Sequence, residues 1–259
     1  MAATRGARDY QEDAAAFRSS AAEPSLRAAA DMPTTGVCDS GVAVLADGMG
    51  GHAGGALASS MVCEAFLIAA ADDGPLGAEN LCGALEAANA ALAAKIKQDP
   101  LLSGMGSTLV GAAFGASGVE WVSVGDSPMF LFRRGELAVL NDDHSLAPEL
   151  DRLVAAGQMS EDEARRDPRR HMLRSAVTGE EIDMVDLSRS PLALEAGDYV
   201  VLASDGIATL QNLEIARIVQ GYANDGANAV ATALIRAIEA LREPHQDNAT
   251  VLVVRSIGD

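Results

Sequence analysis

Apolar residues in this chain recur with two periods, near 3.6 and at 2, and the changes between them mark out its elements. The run Gly41-Val42-Ala43-Val44-Leu45-Ala46 is short, apolar and partly β-branched, which predicts a buried strand. It closes on Asp47-Gly48-Met49-Gly50-Gly51-His52, and Gly54 and Gly55 then open a helix over about 54–71, with Leu57, Met61, Ala65 and Ile68 marking one face. Asp72-Asp73-Gly74-Pro75 breaks it, and a second helix over about 77–98 buries Leu81, Leu85, Ala88, Leu92 and Ile96 before Pro100. From Gly106 the period becomes two. Strands over 107–114 and 119–124 turn at Gly115-Ala116-Ser117-Gly118; strands over 128–132 and 137–140 turn at Arg133-Arg134-Gly135-Glu136. Four strands with short turns predict an antiparallel meander.

Residues 142–182 are charged and poor in β-branched types, which predicts a surface insertion with two short helices. The second starts at the capping box Ser160-Glu161-Asp162-Glu163 and ends at Asp167-Pro168. Strands over 184–187 and 198–203 follow, the latter ending in Ser204-Asp205-Gly206. Asn212 caps a helix to about 220, Val230, Leu234, Ile238 and Leu241 define another, and 250–254 is the last strand. Near the start, 13–17 reads as a strand, while 1–12 is polar and 18–36 irregular. With no internal repeat or linker, one domain over 1–259 is expected.

The chain has 259 residues, 49% hydrophobic but 3% aromatic, so its core must be built from aliphatic side chains and Met. Its formal net charge of −18 excludes nucleic acid and anionic membrane as expected partners. The same charge repels phosphate esters, so a phosphate-handling site here requires metal ions or local Arg. Cys38, Cys63 and Cys82 are odd in number and have no C-x-x-C spacing, which predicts buried thiols in a reducing compartment. No uninterrupted apolar run approaches roughly 18 residues, so a soluble, cytoplasmic protein is expected.

Aspartates recur at strand edges, beside Gly or Asn: Asp47-Gly48, Gly125-Asp126, Asp205-Gly206 and Asp247-Asn248. Each alone reads as a turn. Asp47 and Asp205 follow their strands and Asp247 precedes its own, so within an antiparallel sheet the three can share one edge. Carboxylates brought together in this way raise one another's pKa unless cations neutralise them, and hard oxygen donors suit Mg²⁺ or Mn²⁺.

Seven stretches, in order, give these edges a context: Arg8-Asp9-Tyr10-Gln11-Glu12-Asp13, Asp47-Gly48-Met49-Gly50-Gly51-His52, Gly106-Ser107-Thr108, Gly125-Asp126-Ser127, Asp143-His144-Ser145-Leu146, Ala203-Ser204-Asp205-Gly206 and Asp247-Asn248-Ala249-Thr250. Together they resemble the type 2C, metal-dependent Ser/Thr protein phosphatases in their compact bacterial form. The resemblance implies an α+β fold: a four-layer α-β-β-α sandwich of two antiparallel sheets flanked by antiparallel helix pairs, with a small flap insertion over about 144–182. It implies two Mn²⁺ or Mg²⁺ ions, with Asp47 bridging them, the Gly48 carbonyl on the second, and Asp205 and Asp247 on the first. Glu12 and Asp13 order water at the ions, Arg8 holds the phosphate, and Asp126 binds a third, weaker metal. The implied reaction is hydrolysis of phospho-Ser and phospho-Thr by in-line attack of a metal-bridging hydroxide, with no phosphoenzyme. The implied partners are phosphoproteins made by a Ser/Thr kinase in signal transduction, and a monomer is expected.

The sequence departs from the family pattern in places. Met49 stands where many eukaryotic relatives carry a His proposed as general acid; His52 is the nearby substitute, though its fixing the Gly-rich turn is the stronger reading. Gln11 replaces the usual Asn, and Pro128 follows Gly125-Asp126-Ser127 where Arg is common. His144 reads as structural, and His171 and His245 as surface. Arg165, Arg166, Arg169, Arg170 and Arg174 are expected to pair with local acids, with phosphoprotein docking as the alternative. Two rivals to a general phosphatase are a phosphatase of a sigma-factor antagonist in stress signalling and a catalytically silent phosphoprotein-binding module. A silent module is expected to lack a carboxylate at 47, 205 or 247, and all three are present.

Overall fold

The computed structural model describes residues 1–19, 38–50, 53–70 and 77–258. The described strands are β1 (Ala2–Thr4), β2 (Asp13–Ser19), β3 (Gly41–Met49), β4 (Gly106–Ser107), β5 (Leu109–Gly115), β6 (Gly118–Val124), β7 (Met129–Arg133), β8 (Glu136–Val139), β9 (Asp186–Leu187), β10 (Tyr199–Ala203) and β11 (Ala249–Arg255). The helices are α1 (Ala53–Ala69), α2 (Ala78–Gln98), α3 (Ala147–Ala155), α4 (Glu161–Arg166), α5 (Asn212–Tyr222) and α6 (Ala227–Leu241). One sheet runs β2-β3-β5-β6-β9 with β4 on β3; the other runs β1-β11-β10-β7-β8; every pairing is antiparallel. α1 and α2 pack on the first sheet through Val62, Phe66, Leu81 and Leu85, and α5 and α6 on the second through Ile215, Val230 and Leu234. Ala43, Leu45, Val110, Met129, Val200 and Leu202 fill the layer between the sheets. This is the expected four-layer α-β-β-α arrangement.

Strand alternation decides what each layer receives. On β3, Val42, Val44 and Ala46 face the helices while Ala43 and Leu45 face the middle layer. Asp47 continues the second set, so its side chain points between the sheets. On β2, Ala15 lies in the middle layer, which puts Asp13 there too, and Asp13 and Asp47 are direct register partners. Two carboxylates thus meet side by side where the apolar filling of the sandwich ends.

The expected four-stranded meander does not form. β6 pairs with β5 and β9, whereas β7 pairs with β10 and β8, so the chain changes sheets at Gly125-Asp126-Ser127-Pro128. Gly125, at φ 103°, turns the chain out of the first sheet. Pro128 has no N–H to offer a ladder back to β6, but its carbonyl accepts from Ala203 N at 3.0 Å in the second. The hairpin turns are as expected; Arg134 (φ 53°) and Gly135 (φ 89°) give β7–β8 the two positive-φ centres of a type I′ turn.

Smaller differences have local causes. Asp47 lies inside β3, because Gly48 and Met49 continue pairing with β4. α1 buries Ala58, Val62, Cys63, Phe66 and Leu67, one position round from the predicted face, and Ile68 is 55% exposed. That helix is apolar on nearly every side and touches both α2 and the first sheet, so periodicity alone does not orient it. Leu241 is exposed at the end of α6. Gln211, rather than Asn212, caps α5, completing a capping box with Glu214. The expected strand over 184–187 shortens to β9, and β1 was hidden in a polar segment. Cys63 is buried and Cys82 half-buried, but Cys38 is exposed in the bend before β3.

Candidate metal centre

Main-chain grips set the acidic side chains in place. Asp47 N donates to Thr108 Oγ1 (2.9 Å), while its carbonyl accepts from Thr108 N (2.9 Å) and Ser107 Oγ (2.8 Å). Gly48 N donates to Glu12 O (3.1 Å), and a Cβ on Gly48 would collide with the Gly55 carbonyl, so only glycine lets α1 come this close. Asn248 ties down the N-terminal segment: its Oδ1 accepts from Glu12 N (2.8 Å), and its Nδ2 donates to Arg5 O (3.0 Å) and Tyr10 O (2.9 Å). Asp205 begins a 3-10 turn (Asp205–Thr209) directly after β10, and Asp247 lies two residues before β11. These strands are neighbours, but β3 belongs to the other sheet. The expected single sheet edge is therefore corrected: Asp47 meets Asp205 and Asp247 across the sandwich, because the alternation of β3 aims it into the shared middle layer.

The result is a cleft of about 310 Å³ lined by Arg8, Glu12, Asp47, Gly48, Met49, Gly50, Thr108, Asp126, His171, Leu173, Asp205, Asp247 and Asn248. Seven of the nine site residues expected from sequence are in that wall: Arg8, Glu12, Asp47, Gly48, Asp126, Asp205 and Asp247. Asp13 lies behind it, 5% exposed, with Oδ2 accepting from Ser204 Oγ at 2.7 Å. His52 falls outside the described residues. Arg8 pairs with Asp247 at 2.5 Å while 53% of its side chain stays exposed.

Electrostatically the cluster is incomplete. Burial, then Asp13, Asp205, Asp126 and Asp247 in turn, hold Asp47 well above the ordinary carboxylate range. Burial and the neighbouring Asp205 and Asp143 raise Asp126 to about 7, and burial raises Asp13 to about 6. Asp205 is raised by burial and Asp247, with His171, an Asp47 hydrogen bond and Arg8 acting in opposition. The buried Oδ1 atoms of Asp13 and Asp205 have no hydrogen-bond partner among the described residues. Buried carboxylate oxygens left open in and behind an acidic cleft fit hard divalent cations. Among the described residues no three His, Cys, Asp or Glu side chains close around one point.

Sequence reasoning missed His171, read as surface; it is exposed, yet it stands in the cleft wall facing Asp205. Its place among clustered arginines hid it. Ser204 and Asn248 lay inside quoted motifs without a role. Three of the five clustered arginines pair locally as expected, Arg165 and Arg166 with Asp162 and Arg169 with Asp167, whereas Arg170 reaches Asp151 of α3, outside the expected acids. His144 is structural as expected, its buried Nδ1 accepting from Gly125 N at 3.3 Å.

The class of protein that the fold and site define is a four-layer α-β-β-α sandwich with an acidic cleft at one end of its middle layer, and sequence comparison narrows it. Residues 34–244 match the family described as Protein phosphatase 2C, and the chain belongs to that family. It is 36% identical over 217 residues to the Serine/threonine protein phosphatase PstP of Mycobacterium tuberculosis, covering 81% of this chain and 39% of that protein. The chain thus spans well under half the length of this relative. The crystal structure of the M. tuberculosis phosphatase PstP/Ppp aligns with a TM-score of 0.75 at 30% identity, covering 99% of this chain and 97% of that one. A PstP catalytic domain in complex with two manganese ions aligns with a TM-score of 0.70, covering 99% and 96%. Among the described residues no helix is long and apolar enough to cross a membrane.

Proposed function

We propose that this chain is a metal-dependent phosphatase of phospho-Ser and phospho-Thr proteins, acting as a single catalytic domain in bacterial kinase signalling. The observation that carries the reading is the convergence of Glu12, Asp47, Asp126, Asp205 and Asp247, from both sheets, on one cleft that the chain's own cations leave under-neutralised. Asp47, Asp205 and Asp247, with the Gly48 carbonyl, would hold the two ions. Glu12 and Asp13 would order water at them, and Asp126 would hold a third. Two Mn²⁺ or Mg²⁺ ions, when bound, supply charge neutralisation and an activated nucleophile for in-line displacement at phosphorus. Arg8, at the cleft mouth, offers guanidinium N–H groups to the phosphate oxygens and orients the ester. The side-chain amide of Asn248 keeps the Arg5–Glu12 segment, and so Arg8, in place. The flap over about 144–182 contributes His171 and Leu173 to the wall, where the alcohol side of a substrate enters.

The test is hydrolysis of p-nitrophenyl phosphate and of a phosphothreonine peptide, with Mn²⁺ and with EDTA, by wild type and Asp205→Ala. Metal-dependent turnover of both, lost in the variant, is the expected result. Absence of turnover by folded, Mn²⁺-loaded wild type would overturn the assignment.

A further inference from the structure

The carboxylates of Asp47 and Asp126 reach the cleft from different elements, yet one buried side chain supports both. Thr108 is 2% exposed and falls in the single-residue gap between β4 and β5. Its Oγ1 accepts from Asp47 N, and its own N–H donates to Asp47 O, each at 2.9 Å, so Thr108 grips both sides of the Asp47 main chain. On its other side lies the chain crossing that carries Asp126. Thr108 Oγ1 and Ser127 Oγ share a hydrogen bond of 2.7 Å. Gly125 packs so closely on the Thr108 methyl that an added Cβ would lie 2.6 Å from Cγ2. Both neighbours of Asp126 therefore rest on Thr108, one on its hydroxyl and one on its methyl.

Beyond Ser127, a second buried side chain fastens the crossing to the sheets. Asn141 Nδ2 donates to Ser127 O (2.9 Å) and Ser123 Oγ (3.2 Å), and Asn141 Oδ1 accepts from Met129 N (2.7 Å). The crossing is thus held at β6, at β7 and at Thr108. A buried hydroxyl bonded on two sides has one low-energy orientation, which makes it a rigid spacer.

We propose that Thr108 is a positioning residue that fixes the separation of Asp47 and Asp126, with its hydroxyl setting the geometry that divalent cations meet. The inference rests on the metal-dependent reading above and assigns a task to a residue that need not touch substrate. Groups that orient metal ligands from behind matter to affinity by about 10-fold to 100-fold. Thr108→Val keeps the shape and the methyl under Gly125 but leaves Asp47 N and Ser127 Oγ without their partner. Thr108→Ser keeps the hydroxyl and loses the methyl.

Mn²⁺ affinity, measured by titration calorimetry on the full chain, separates these cases without reference to turnover. Thr108→Val is expected to weaken Mn²⁺ binding about tenfold or more, and Thr108→Ser to recover most of that loss. Tyr199→Phe, which removes a buried hydroxyl bonded to Ala223 O at 2.6 Å far from the cleft, is the control for general loosening and should leave Mn²⁺ affinity unchanged. If Thr108→Val does not fold, Ser127→Ala removes the same shared bond and should weaken binding in the same direction. Wild-type affinity in the Val variant, or equal loss in the Val and Ser variants, overturns the role of the hydroxyl. Failure of wild type itself to bind Mn²⁺ overturns the metal-dependent reading instead.

Discussion

β10 has an aspartate at each end, and the two are treated in opposite ways. Asp198, just before the strand, has a side chain 3% exposed; Arg133 Nε and Nη2 reach its oxygens at 2.6–3.1 Å and Glu195 N donates at 2.7 Å. Asp205, just after the strand, is half-buried; Asp247 and Asp47 crowd it, His171 and Arg8 offset them only in part, and its buried Oδ1 has no partner among the described residues. Asp198 is closed by the chain itself and serves as a clamp between β7, β10 and the loop before it. Asp205 is left open, and an acid with an open buried oxygen is retained when something outside the chain completes it.

The largest effect should come from the open end. Asp205→Asn is expected to lower phosphatase turnover by roughly 10³-fold, since it removes a group asked to supply several kcal/mol through the ions. The same change should raise the melting temperature of the metal-free protein, because it relieves burial of a charge among like charges. A fall in that temperature would break the contrast. At the closed end the signs reverse: Arg133→Met leaves Asp198 buried and unpaired, costing about 3 kcal/mol in urea unfolding. Turnover per folded molecule should hold there.

How much of this was legible in sequence depends on whether a feature is local. The Asp-Gly edges, the Ser160 capping box, the hairpin turns and the two helix pairs announce themselves within a few residues. The change of sheet at Gly125–Pro128 does not, because a four-residue link between two β-patterned segments looks the same whether they pair or part. It was nonetheless decisive: it brings Asp126 beside Asp205 and puts Asp47 opposite them. The facing of α1 escaped because alanine-rich helices offer no clear stripe. His171 escaped because proximity to a cleft is set by how the insertion folds back, through the Ser145–Leu173 bridge, rather than by its neighbours in sequence.

Acidity offers a third contrast. Asp13 moves from an ordinary 3.8 to about 6 and Asp126 from 3.8 to about 7, so the folded state holds protons that the unfolded chain releases. Where the native state binds more protons, stability falls as pH rises. The metal-free protein should therefore lose stability between about pH 4 and pH 7, by several kcal/mol, since a tenfold change in proton affinity is worth about 1.4 kcal/mol. Saturating Mn²⁺ should flatten that slope in a thermal melt, since the ions then favour the ionised acids. A slope unchanged by Mn²⁺ would show that the raised acids are not where ions bind.

The smallest effect belongs to the flap arginines. Arg169 and Arg170 are engaged by Asp167 and Asp151, and Asp167 is lowered to about 2 chiefly by its hydrogen bonds from Arg169. Replacing both with Ala should leave turnover of a phosphoprotein within about twofold of wild type, as exposed pairs contribute little. A large rise in KM would restore the docking reading.

Completion of the open carboxylates by cations is tested most directly by Mn²⁺ titration calorimetry on metal-free wild type and Asp47→Asn. At least two ions per wild-type chain are expected, with the tight binding lost in the variant; fewer than one ion per wild-type chain, or equal binding in the two proteins, would contradict it.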